Sequence, residues 1–429
     1  MQRLKVLLIL VVVTCSCKQP NVSTSVFTAF TGATIIDGGG GDAIKDAVLL
    51  IERGQVVAIG SKDSIVIPDG TQIRNLSGRY IMPGIINGHG HVGETKGIVG
   101  GHYSRDNVIE NLEIYARYGV TTVVSLGGDK QEAEPFRFVN DSSYNHRARL
   151  FIAGEIVNGT TGEEVVAALN RNHQLGVDIM KIRVDDNLGT SSKMREDLYR
   201  TAIITSHTLG YKLAAHMYYL SDAKKLLEAG ADMLAHSIRD APVDSTLIRL
   251  IKEKSVGYCP TLTRELSTFV YADTAAFFSD LFFSREYQSE TIKPLNDPKH
   301  HQEVRMDFRA KTYRKQLPVA MSNLKKLSDA GVPIVFGTDS GVPTRFMGYF
   351  EHIEMEMMAE AGMTPMQIIV SATKTVADEL DLKGLGMLQA GNQADFLVLD
   401  RDPLRDIRNT KSIAAVFIGG EQVRMKESK

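Results

Sequence analysis

Short apolar runs separated by glycine-rich or Asp-Gly turns fill the two ends of the chain. Near the amino terminus the runs lie at 33–36, 47–52, 55–59 and 64–67, with turns at 38–41 and 68–70. Near the carboxyl terminus they lie at 391–400 and 413–423. Short apolar runs bounded by turn residues predict β-hairpins. Segments 26–82 and 384–429 therefore predict one small β-sandwich domain built from both chain ends.

Strand-like runs alternate with helical patterns through the middle of the chain, from 83 to 383. Eight such runs can be counted, at 85–92, 121–126, 150–156, 178–184, 212–218, 233–237, 257–262 and 333–339. Helical patterns separate them, including those at 107–118, 163–173, 192–209, 223–229, 245–254 and 320–330. This alternation predicts parallel βαβ units and an α/β fold. Eight units favour a (β/α)8 TIM barrel, which typically takes about 250 residues. A doubly wound open sheet is the alternative.

One interval breaks this rhythm. Between the seventh run and the eighth the chain adds residues 264–317, which are rich in Phe, Tyr, His and charged side chains. Long insertions between regular elements often carry function. We expect either a lid over the barrel mouth or a helical excursion on the surface with no catalytic role.

Residues 1–17 have the pattern of an export signal. Two basic residues precede an apolar run from Val6 to Val13, and Cys15 and Cys17 follow it. The run is shorter than the roughly 20 residues that span a bilayer, which disfavours a permanent transmembrane helix. The segment resembles a bacterial lipoprotein leader in which Cys17, or else Cys15, becomes lipidated, with 18–25 as a linker. We expect an exported periplasmic or cell-envelope lipoprotein, with an ordinary cleaved signal as the alternative.

Composition narrows the class of partner. The chain of 429 residues holds 49 Lys and Arg against 51 Asp and Glu, a formal net charge of −2. This balance gives no electrostatic basis for nucleic acid binding. Hydrophobic residues make up 43% of the chain and charged residues 23%, as in ordinary globular proteins. The three cysteines, Cys15, Cys17 and Cys259, provide no disulfide framework because two of them lie in the leader.

The strongest local motif is His89-Gly90-His91, near the end of the first central run. Strand side chains alternate with a period of two, so His89 and His91 project from the same face. Gly90 between them lets another group approach the backbone closely. Two imidazoles on one face are suitable ligands for a metal ion.

Other residues that can bind a metal fall at the ends of later runs. His216 is near the end of the fifth run, His236 of the sixth and Asp339 of the eighth. In a TIM barrel the carboxyl ends of all strands meet at one mouth, where the active sites of such enzymes lie. We therefore expect these three residues to join His89 and His91 in one metal site. The alternative is that each is a buried polar residue with an ordinary structural role.

Lys181 lies inside the fourth apolar run. A buried ammonium group is costly, and burial lowers its pKa. A neutral amine can react with carbon dioxide to give an anionic carbamate, which can bridge two metal ions. The alternative is an ion pair of this lysine with Asp178, Asp185 or Asp186.

Together with the flanking β segments, these residues resemble the metal ligands of the amidohydrolase superfamily, in its binuclear-metal branch. The resemblance covers nearly the whole chain after the leader. It implies two divalent ions, with Lys181 N-carboxylated between them. The first ion would be held by His89, His91, Lys181 and Asp339, and the second by Lys181, His216 and His236. We expect zinc, while manganese, cobalt and iron are chemically open.

Within that superfamily, the strand at 178–183 and the strand end at 216–218 are similar to those of Xaa-Pro dipeptidases, metal-dependent carboxypeptidases and N-acyl-amino-acid hydrolases. The resemblance implies cleavage of an amide C–N bond in a dipeptide or an N-acyl amino acid. Two cations that share a hydroxide lower its pKa toward neutrality and polarise the scissile carbonyl. Asp339 would carry a proton from the hydroxide to the leaving amine, and His236 would help to stabilise the oxyanion.

Several residues are candidates for substrate binding. Tyr218 lies two residues past His216 and so faces the same way. Its phenol would bind a substrate carboxylate or carbonyl, or else it is an aromatic residue of the rim. Further carboxylate-binding candidates are Arg183, His102 and Arg345.

Other functions stay open. Hydrolysis of a cyclic amide, a phosphotriester or a lactone would use the same hydroxide. A one-metal deaminase of the superfamily pairs the fifth-strand histidine with an acid three residues on, where this chain has Tyr219. A solute-binding lipoprotein would bind at the mouth without turnover. We expect a small-molecule amide or dipeptide as substrate and membrane contact only through a lipid anchor, and homo-oligomerisation is left open.

Overall fold

The computed structural model describes residues 27–140 and 146–426, so the predicted leader, with Cys15 and Cys17, lies outside the described residues. Five strands come first: β1 (Thr28–Ile35), β2 (Ile44–Glu52), β3 (Gln55–Ser61), β4 (Gln72–Asn75) and β5 (Tyr80–Pro83). β2 pairs antiparallel with β1 and β3, whereas β4 and β5 run parallel to β1. The β2–β3 hairpin turns on Arg53 and Gly54, both at positive φ. This turn geometry matches the twist of the strands.

Strands and helices alternate in the centre of the chain. The strands are β6 (Ile85–Gly90), β7 (Val120–Ser125), β8 (Arg149–Ile152), β9 (Met180–Val184), β10 (Leu213–Met217), β11 (Met233–Ala235) and β12 (Gly257–Cys259). The helices between them are α1 (Arg105–Arg117), α2 (Gly162–Leu175), α3 (Glu196–Thr208), α4 (Leu220–Ala229) and α5 (Ser245–Lys254). All pairing is parallel, in one sheet of β6, β7 and β8 and another of β9 to β12. The predicted mixed α/β character with parallel strands is confirmed.

Isolated bridges connect the two parallel sheets. The bridged pairs are Val157 with Ile182, Tyr258 with Ile334, and Ser340 with Gly90. Segment 333–340, predicted as the eighth strand, lies between β12 and β6 through these bridges but forms no ladder of its own. Asp339 has a φ of +59°, which takes the backbone out of the extended region and ends regular pairing. The described chain therefore contains two parallel sheets in place of one continuous eight-stranded sheet.

The predicted insertion, 264–317, is built from helices. They are α6 (Leu262–Ser267), α7 (Ser289–Ile292), α8 (Pro298–Met306) and the first half of α9 (Phe308–Asp329). The helical pattern at 320–330 is the second half of α9. Aromatic side chains of the insertion are buried: Phe283 packs against Phe346 and Tyr349 with ring centroids 4.9 and 5.0 Å apart. The part of the insertion around Phe283 is therefore packed into the hydrophobic core, whereas α8 buries none of its residues.

The last elements return to the first sheet. They are α10 (Tyr349–Glu360), α11 (Pro365–Val370), α12 (Val376–Glu379), β13 (Phe396–Leu399), β14 (Ile413–Ile418) and β15 (Glu421–Gln422). β13 pairs antiparallel with β5, so strands from both chain ends lie in one sheet of order β15-β14-β13-β5-β1-β2-β3, with β4 beside β1. In its core, Phe396 and Phe417 stack, and Phe30 packs edge-on against both rings. Within 27–140 and 146–426, none of the helices combines the length and apolar character needed to span a bilayer.

Candidate active site

The ends of two neighbouring strand segments bring His89, His91 and Asp339 together. His91 Nε2 lies 2.8 Å from Asp339 Oδ1, and His89 Nε2 lies 3.4 Å from the same oxygen. Two glycines permit this approach. A Cβ on Gly337 would lie 2.8 Å from His89 Cβ, and one on Gly341 would lie 2.0 Å from the His91 carbonyl oxygen. The three residues offer ligand atoms that all lie within 4.8 Å of one another.

His216 and His236 extend this group. Parallel pairing of β10 with β11 sets them side by side, with ring centroids 4.2 Å apart. The His236 ring lies 4.7 Å from that of His89. The structure thus brings the four predicted histidines into one continuous row, as the position of their strand ends predicted.

Hydrogen bonds on the outer side of the rings determine which nitrogen is available inside the site. His91 Nδ1 lies 2.8 Å from the carbonyl oxygen of Gly127, and His216 Nε2 lies 2.8 Å from Asp185 Oδ2. Both partners only accept hydrogen bonds, so these two nitrogens carry the proton. Nδ1 of His216 therefore keeps a free lone pair, whereas Nε2 of His91 lies 2.8 Å from Asp339 Oδ1. Outer partners of this kind orient metal-binding histidines.

His236 and Asp339 share an unusual backbone conformation. Their φ angles are +76° and +59°, in the left-handed region that residues other than glycine rarely adopt. Such conformations cost on the order of 1–3 kcal/mol and cluster at functional sites. Thr261, also at positive φ, contacts His236 Nδ1 through its hydroxyl at 2.8 Å. The surrounding structure therefore fixes the direction of both side chains.

Burial keeps His89, His216 and His236 neutral. Desolvation is the largest cause that lowers the pKa of His216 to about 3 and the pKa values of His89 and His236 well below their ordinary value. A neutral imidazole is the form that binds a metal ion. Nδ1 of His89 is buried with no hydrogen-bond partner in the described chain. Buried polar atoms are rarely left unpaired, so this ring is suited to a further ligand.

Asp339 is ionised at neutral pH. Burial alone would raise its pKa, but Arg345, His89 and His91 hold the pKa of this carboxyl well below its usual range. Arg345 Nη1 donates a hydrogen bond to Asp339 Oδ2. Arg345 was predicted as a candidate for a substrate carboxylate, whereas its partner in the structure is a carboxylate of the site itself.

Lys181 extends from β9 into the same space. Its Nζ lies 3.5 Å from His89 Nε2, and the side chain is only 2% exposed. Burial is the main cause that lowers the pKa of Lys181 from 10.5 to about 8, against an opposing effect of Asp339. Within the described chain no carboxylate lies within 4 Å of this amine.

The three ion pairs that formed the alternative for Lys181 are absent from the described chain, because each aspartate has another partner. Asp178 pairs with Arg137 at 2.6 Å, and Asp185 accepts from His216. Asp186 accepts a hydrogen bond from the Tyr219 hydroxyl at 3.0 Å. Lys181 is therefore a buried amine without a counterion among the described residues.

The predicted substrate residues have different surroundings. Tyr218 is buried, and its hydroxyl accepts a hydrogen bond from Gln316 of α9. Arg183 turns away, toward Asp185 at 3.4 Å, with 41% of its side chain exposed. His102 is exposed. Of these three, Tyr218 is the buried one, and it packs against Tyr313 of α9.

The donor set fits divalent ions of the zinc type. Neutral imidazoles, an ionised carboxylate and an amine with a lowered pKa are nitrogen and oxygen donors of the kind that such ions prefer. His89, His91 and Asp339 form one compact group, and His216 with His236 form a second. The charge of Lys181 lowers the pKa values of histidines in both groups. The residues therefore fit a divalent metal ion, with His89, His91 and Asp339 as its compact ligand group.

Sequence reasoning missed a buried polar network below the site. Glu351 of α10 accepts hydrogen bonds from Asn87 Nδ2 at 2.5 Å, Thr338 Oγ1 at 2.8 Å and Ser340 Oγ at 2.6 Å. Asn87 in turn accepts from the backbone N–H of His89 at 2.9 Å. One carboxylate thus ties together the two chain segments that carry His89 and Asp339. Its signal in the sequence was an acidic residue on the apolar face of a methionine-rich helix.

Comparison with known proteins gives one family and several relatives. The amidohydrolase family matches residues 80–423. An imidazolonepropionase of Rhodococcus jostii (strain RHA1) is 22% identical over 409 residues, which cover 90% of each chain. Among solved structures, a Xaa-Pro dipeptidase with bound methionine in its active site has a TM-score of 0.74 at 21% identity, over 93% of this chain and 100% of that one. Phenylurea hydrolase B has a TM-score of 0.73 at 20% identity, over 93% and 97%. The predicted resemblance is confirmed, and this chain belongs to the amidohydrolase family.

Proposed function

We propose that this amidohydrolase cleaves an amide C–N bond in a dipeptide or an N-acyl amino acid with the help of two divalent metal ions. The observation that carries the proposal is the convergence of four histidines and an ionised aspartate around a buried lysine without a counterion among the described residues. The similarity to a Xaa-Pro dipeptidase over nearly the whole chain supports the choice of substrate class.

The chain's own residues supply the ligands. His89, His91 and Asp339 would hold one ion, and His216 and His236 the other. Lys181 would lie between them as its N-carboxylated form, because an uncharged amine at the bottom of the site can add carbon dioxide and lose a proton. When bound, such ions provide a hydroxide at neutral pH and polarise a carbonyl group.

Asp339 would move the proton during hydrolysis. Its lowered pKa keeps it available as a base, so one oxygen can accept the proton of the attacking water. It can then return that proton to the leaving nitrogen as the C–N bond breaks, so that an amine and a carboxylic acid leave the site. The buried hydroxyl of Tyr218 and the ring of His236 are the nearest predicted groups to stabilise the charge on the carbonyl oxygen.

We also infer that the two parallel sheets and segment 333–340 close into one (β/α)8 barrel. The isolated bridges at three positions join the segments in ring order. A single buried apolar cluster supports this closure, since it draws residues from both parallel sheets and from segment 333–340 and includes Ile86, Val124, Phe151, Ala214, Met233, Cys259 and Val335. The sheet formed by both chain ends would be the predicted β-sandwich domain.

The test of the proposed activity is an assay of the chain without residues 1–17, produced with zinc and bicarbonate. The substrates are pools of dipeptides, N-acyl amino acids, cyclic amides, lactones and purine or pyrimidine amines. We expect release of an amine from a dipeptide or an N-acyl amino acid, loss of activity with a chelator, and recovery with zinc. Asp339→Asn should reduce kcat by at least about a hundredfold, whereas the surface variant Asp381→Asn should not. Cleavage of only a cyclic amide or lactone, or only deamination, would overturn the substrate class.

Export as a lipoprotein remains a proposal from the sequence. Its test is labelling with a fatty acid during expression of the full chain in a bacterial host. Label in the unmodified protein and in Cys15→Ala, with none in Cys17→Ala, would support Cys17 as the anchor. Loss of the label only in Cys15→Ala would assign the anchor to Cys15. Absence of label from all three proteins would contradict lipidation.

A further inference from the structure

Three arginines converge on the loops that follow β11, β12 and segment 333–340. Arg239 and Arg264 both pair with Glu265, at 3.2 Å and 3.0 Å. Arg345 donates to Asp339 and also reaches Ser267 Oγ at 3.0 Å. Three guanidinium groups therefore share two carboxylates. The cluster carries one positive charge more than its own acids neutralise.

The two members of the Arg239–Glu265 pair are inaccessible, since both side chains are 0% exposed. Arg264 differs, because 10% of its side chain is still exposed. A guanidinium has five N–H donors in a flat fork, and Glu265 takes one of those of Arg264 at its Nη1. Arg264 is thus the member of this pair of arginines that can meet a ligand.

The position of Arg264 is fixed by its surroundings. Glu354 of α10 accepts hydrogen bonds from the backbone N–H groups of Leu262 and Thr263, both at 2.7 Å, and so anchors the start of α6. The ring of Tyr313 from α9 lies 4.9 Å from the centre of the guanidinium. A cation held between a carboxylate and an aromatic ring loses little freedom on binding a ligand.

Arg264 also lies close to the reacting centre. Thr261, three residues before it, contacts His236. The charge of Arg264 lowers the pKa values of both His216 and His236. A group bound at this arginine would therefore belong to the same molecule as an amide bound at the histidines.

We propose that Arg264, stacked on Tyr313 and held by Glu265, binds a carboxylate of the substrate next to the scissile amide. This inference rests on the proposed function and deepens it, because it assigns to Arg264 the recognition of the carboxylate that dipeptides and N-acyl amino acids carry. A planar fork matches a carboxylate with two parallel hydrogen bonds, and a single uncompensated charge matches one negative charge. The neutral amide or ester of the same molecule would offer Arg264 no negative charge and would form weaker hydrogen bonds with it.

The test compares acids with their primary amides. One measurement is kcat/KM for N-acyl amino acids and the corresponding N-acyl amino acid amides. The other is calorimetric binding of N-methanesulfonyl amino acids and their amides, whose sulfonamide bond resists hydrolysis. The unmodified enzyme should prefer the acid by about 10- to 100-fold in both, as expected for a charge-assisted hydrogen bond. Arg264→Gln should remove this preference by weakening the binding and cleavage of the acid but not of the amide. Arg264→Lys should keep part of the preference.

Arg249→Gln, on the exposed face of α5, is the matched control and should behave as the unmodified enzyme. An unchanged preference in Arg264→Gln, or no preference in the unmodified enzyme, would overturn the subsite. If Arg264→Gln fails to fold, as judged by its melting temperature, a preference in Arg264→Lys equal to that of the unmodified enzyme would also overturn it. Carboxylate binding that depends on Arg264, without any amide cleavage, would keep the subsite and reject the proposed activity.

Discussion

At the scale of single residues, Lys181 carries the most specific chemistry in the site. Its pKa is lowered from 10.5 to about 8, chiefly by burial. At pH 8 about half of this amine would be uncharged, against less than about 1% for a lysine at the ordinary value. Only the uncharged amine can add carbon dioxide. Burial thus gives Lys181 the reactivity that the proposed carboxylation requires.

Labelling with ¹³C-bicarbonate tests this property. We expect the enzyme to show one carbamate resonance in its ¹³C NMR spectrum, because the carbamate would add a second anionic ligand beside Asp339. The resonance should be absent from Lys181→Ala and present in Lys225→Ala, which changes an exposed lysine of α4. A resonance that persists in Lys181→Ala would assign the carbamate to another amine.

The sequence predicted these residues because strand periodicity determines where side chains point. The alternation of His89 and His91, and the location of His216, His236 and Asp339 near strand ends, were sufficient to bring them to one place. The contacts of Arg345 and Arg264 were not predictable in this way. Both residues lie in segments after strand ends, where no periodicity relates a position in the chain to a direction in space.

At the scale of elements, α10 holds the segments of the site in place through two buried acids. Glu351 holds the segments of His89 and Asp339, and Glu354 anchors α6. These two acids lie three residues apart and so share one face of the helix. The helix therefore acts as a common base for residues that are distant in sequence.

Glu351→Ala should affect both folding and metal binding. Removing the carboxylate takes away the acceptor that three buried donors share, so we expect a loss of about 2–4 kcal/mol in the free energy of unfolding. Loss of an outer-sphere support typically costs about 10- to 100-fold in metal affinity. Urea unfolding and metal titration measure the two effects. Glu360→Ala, at the exposed end of the same helix, should stay within about 0.5 kcal/mol, and an equal result for both variants would contradict this role.

His352, in the same helix, makes the stability of the folded chain depend on pH. It is buried between Tyr118 and Thr410, and burial is the main cause that lowers its pKa from 6.5 to about 3, with further effects of Lys411 and Arg285. The unfolded chain takes up a proton below pH 6.5, whereas the folded chain does so only near pH 3. This contribution to stability is therefore complete above pH 6.5 and is lost as the pH falls toward 3.

Between pH 7 and pH 5, His352 should account for a loss of about 2 kcal/mol in the free energy of unfolding. In His352→Gln, the free energy of unfolding should fall over this interval by that amount less than in the unmodified chain. Urea unfolding at both pH values measures this difference. His173→Gln, which changes an exposed histidine, should follow the unmodified chain. A pH dependence that is the same in His352→Gln and in the unmodified chain would contradict the assignment.

At the scale of the whole molecule, the two chain ends are joined to each other and to the central sheets. β13 pairs with β5, and Arg149 of β8 forms a two-bond ion pair with Asp395, at 2.6 and 2.9 Å. The side chains are 0% and 8% exposed. Breaking a buried pair from one side leaves an uncompensated charge, which is strongly destabilising.

Asp395→Asn should therefore lower the free energy of unfolding by about 3–5 kcal/mol. The double variant Arg149→Met/Asp395→Asn should recover part of this loss, because the unpaired cation is removed. Asp400→Asn breaks the exposed pair with Arg79 near the same strand and should cost less than about 1 kcal/mol. An equal loss in the free energy of unfolding for the buried and the exposed pair would show that Arg149 and Asp395 do not hold the sheet of the chain ends to the central sheets.

Much of this architecture was accessible from the sequence. Apolar runs with hairpin turns indicated sheet strands at both ends, and the alternation in the middle indicated parallel strands with helices. The sequence did not reveal that segment 333–340 would form only isolated bridges. The positive φ of Asp339 interrupts its pairing, and the conformation of a single residue is set by the packing around it.

We propose that the site holds two metal ions that share a carboxylated Lys181. The most direct test of this proposal is the metal content per chain, by elemental analysis, of the unmodified enzyme and Lys181→Ala produced with zinc and bicarbonate. We predict about two ions per chain in the enzyme and one or fewer in Lys181→Ala, with partial recovery on adding acetate, which can replace the missing bridge. One ion or none in the enzyme, or an unchanged content in Lys181→Ala, would contradict the account.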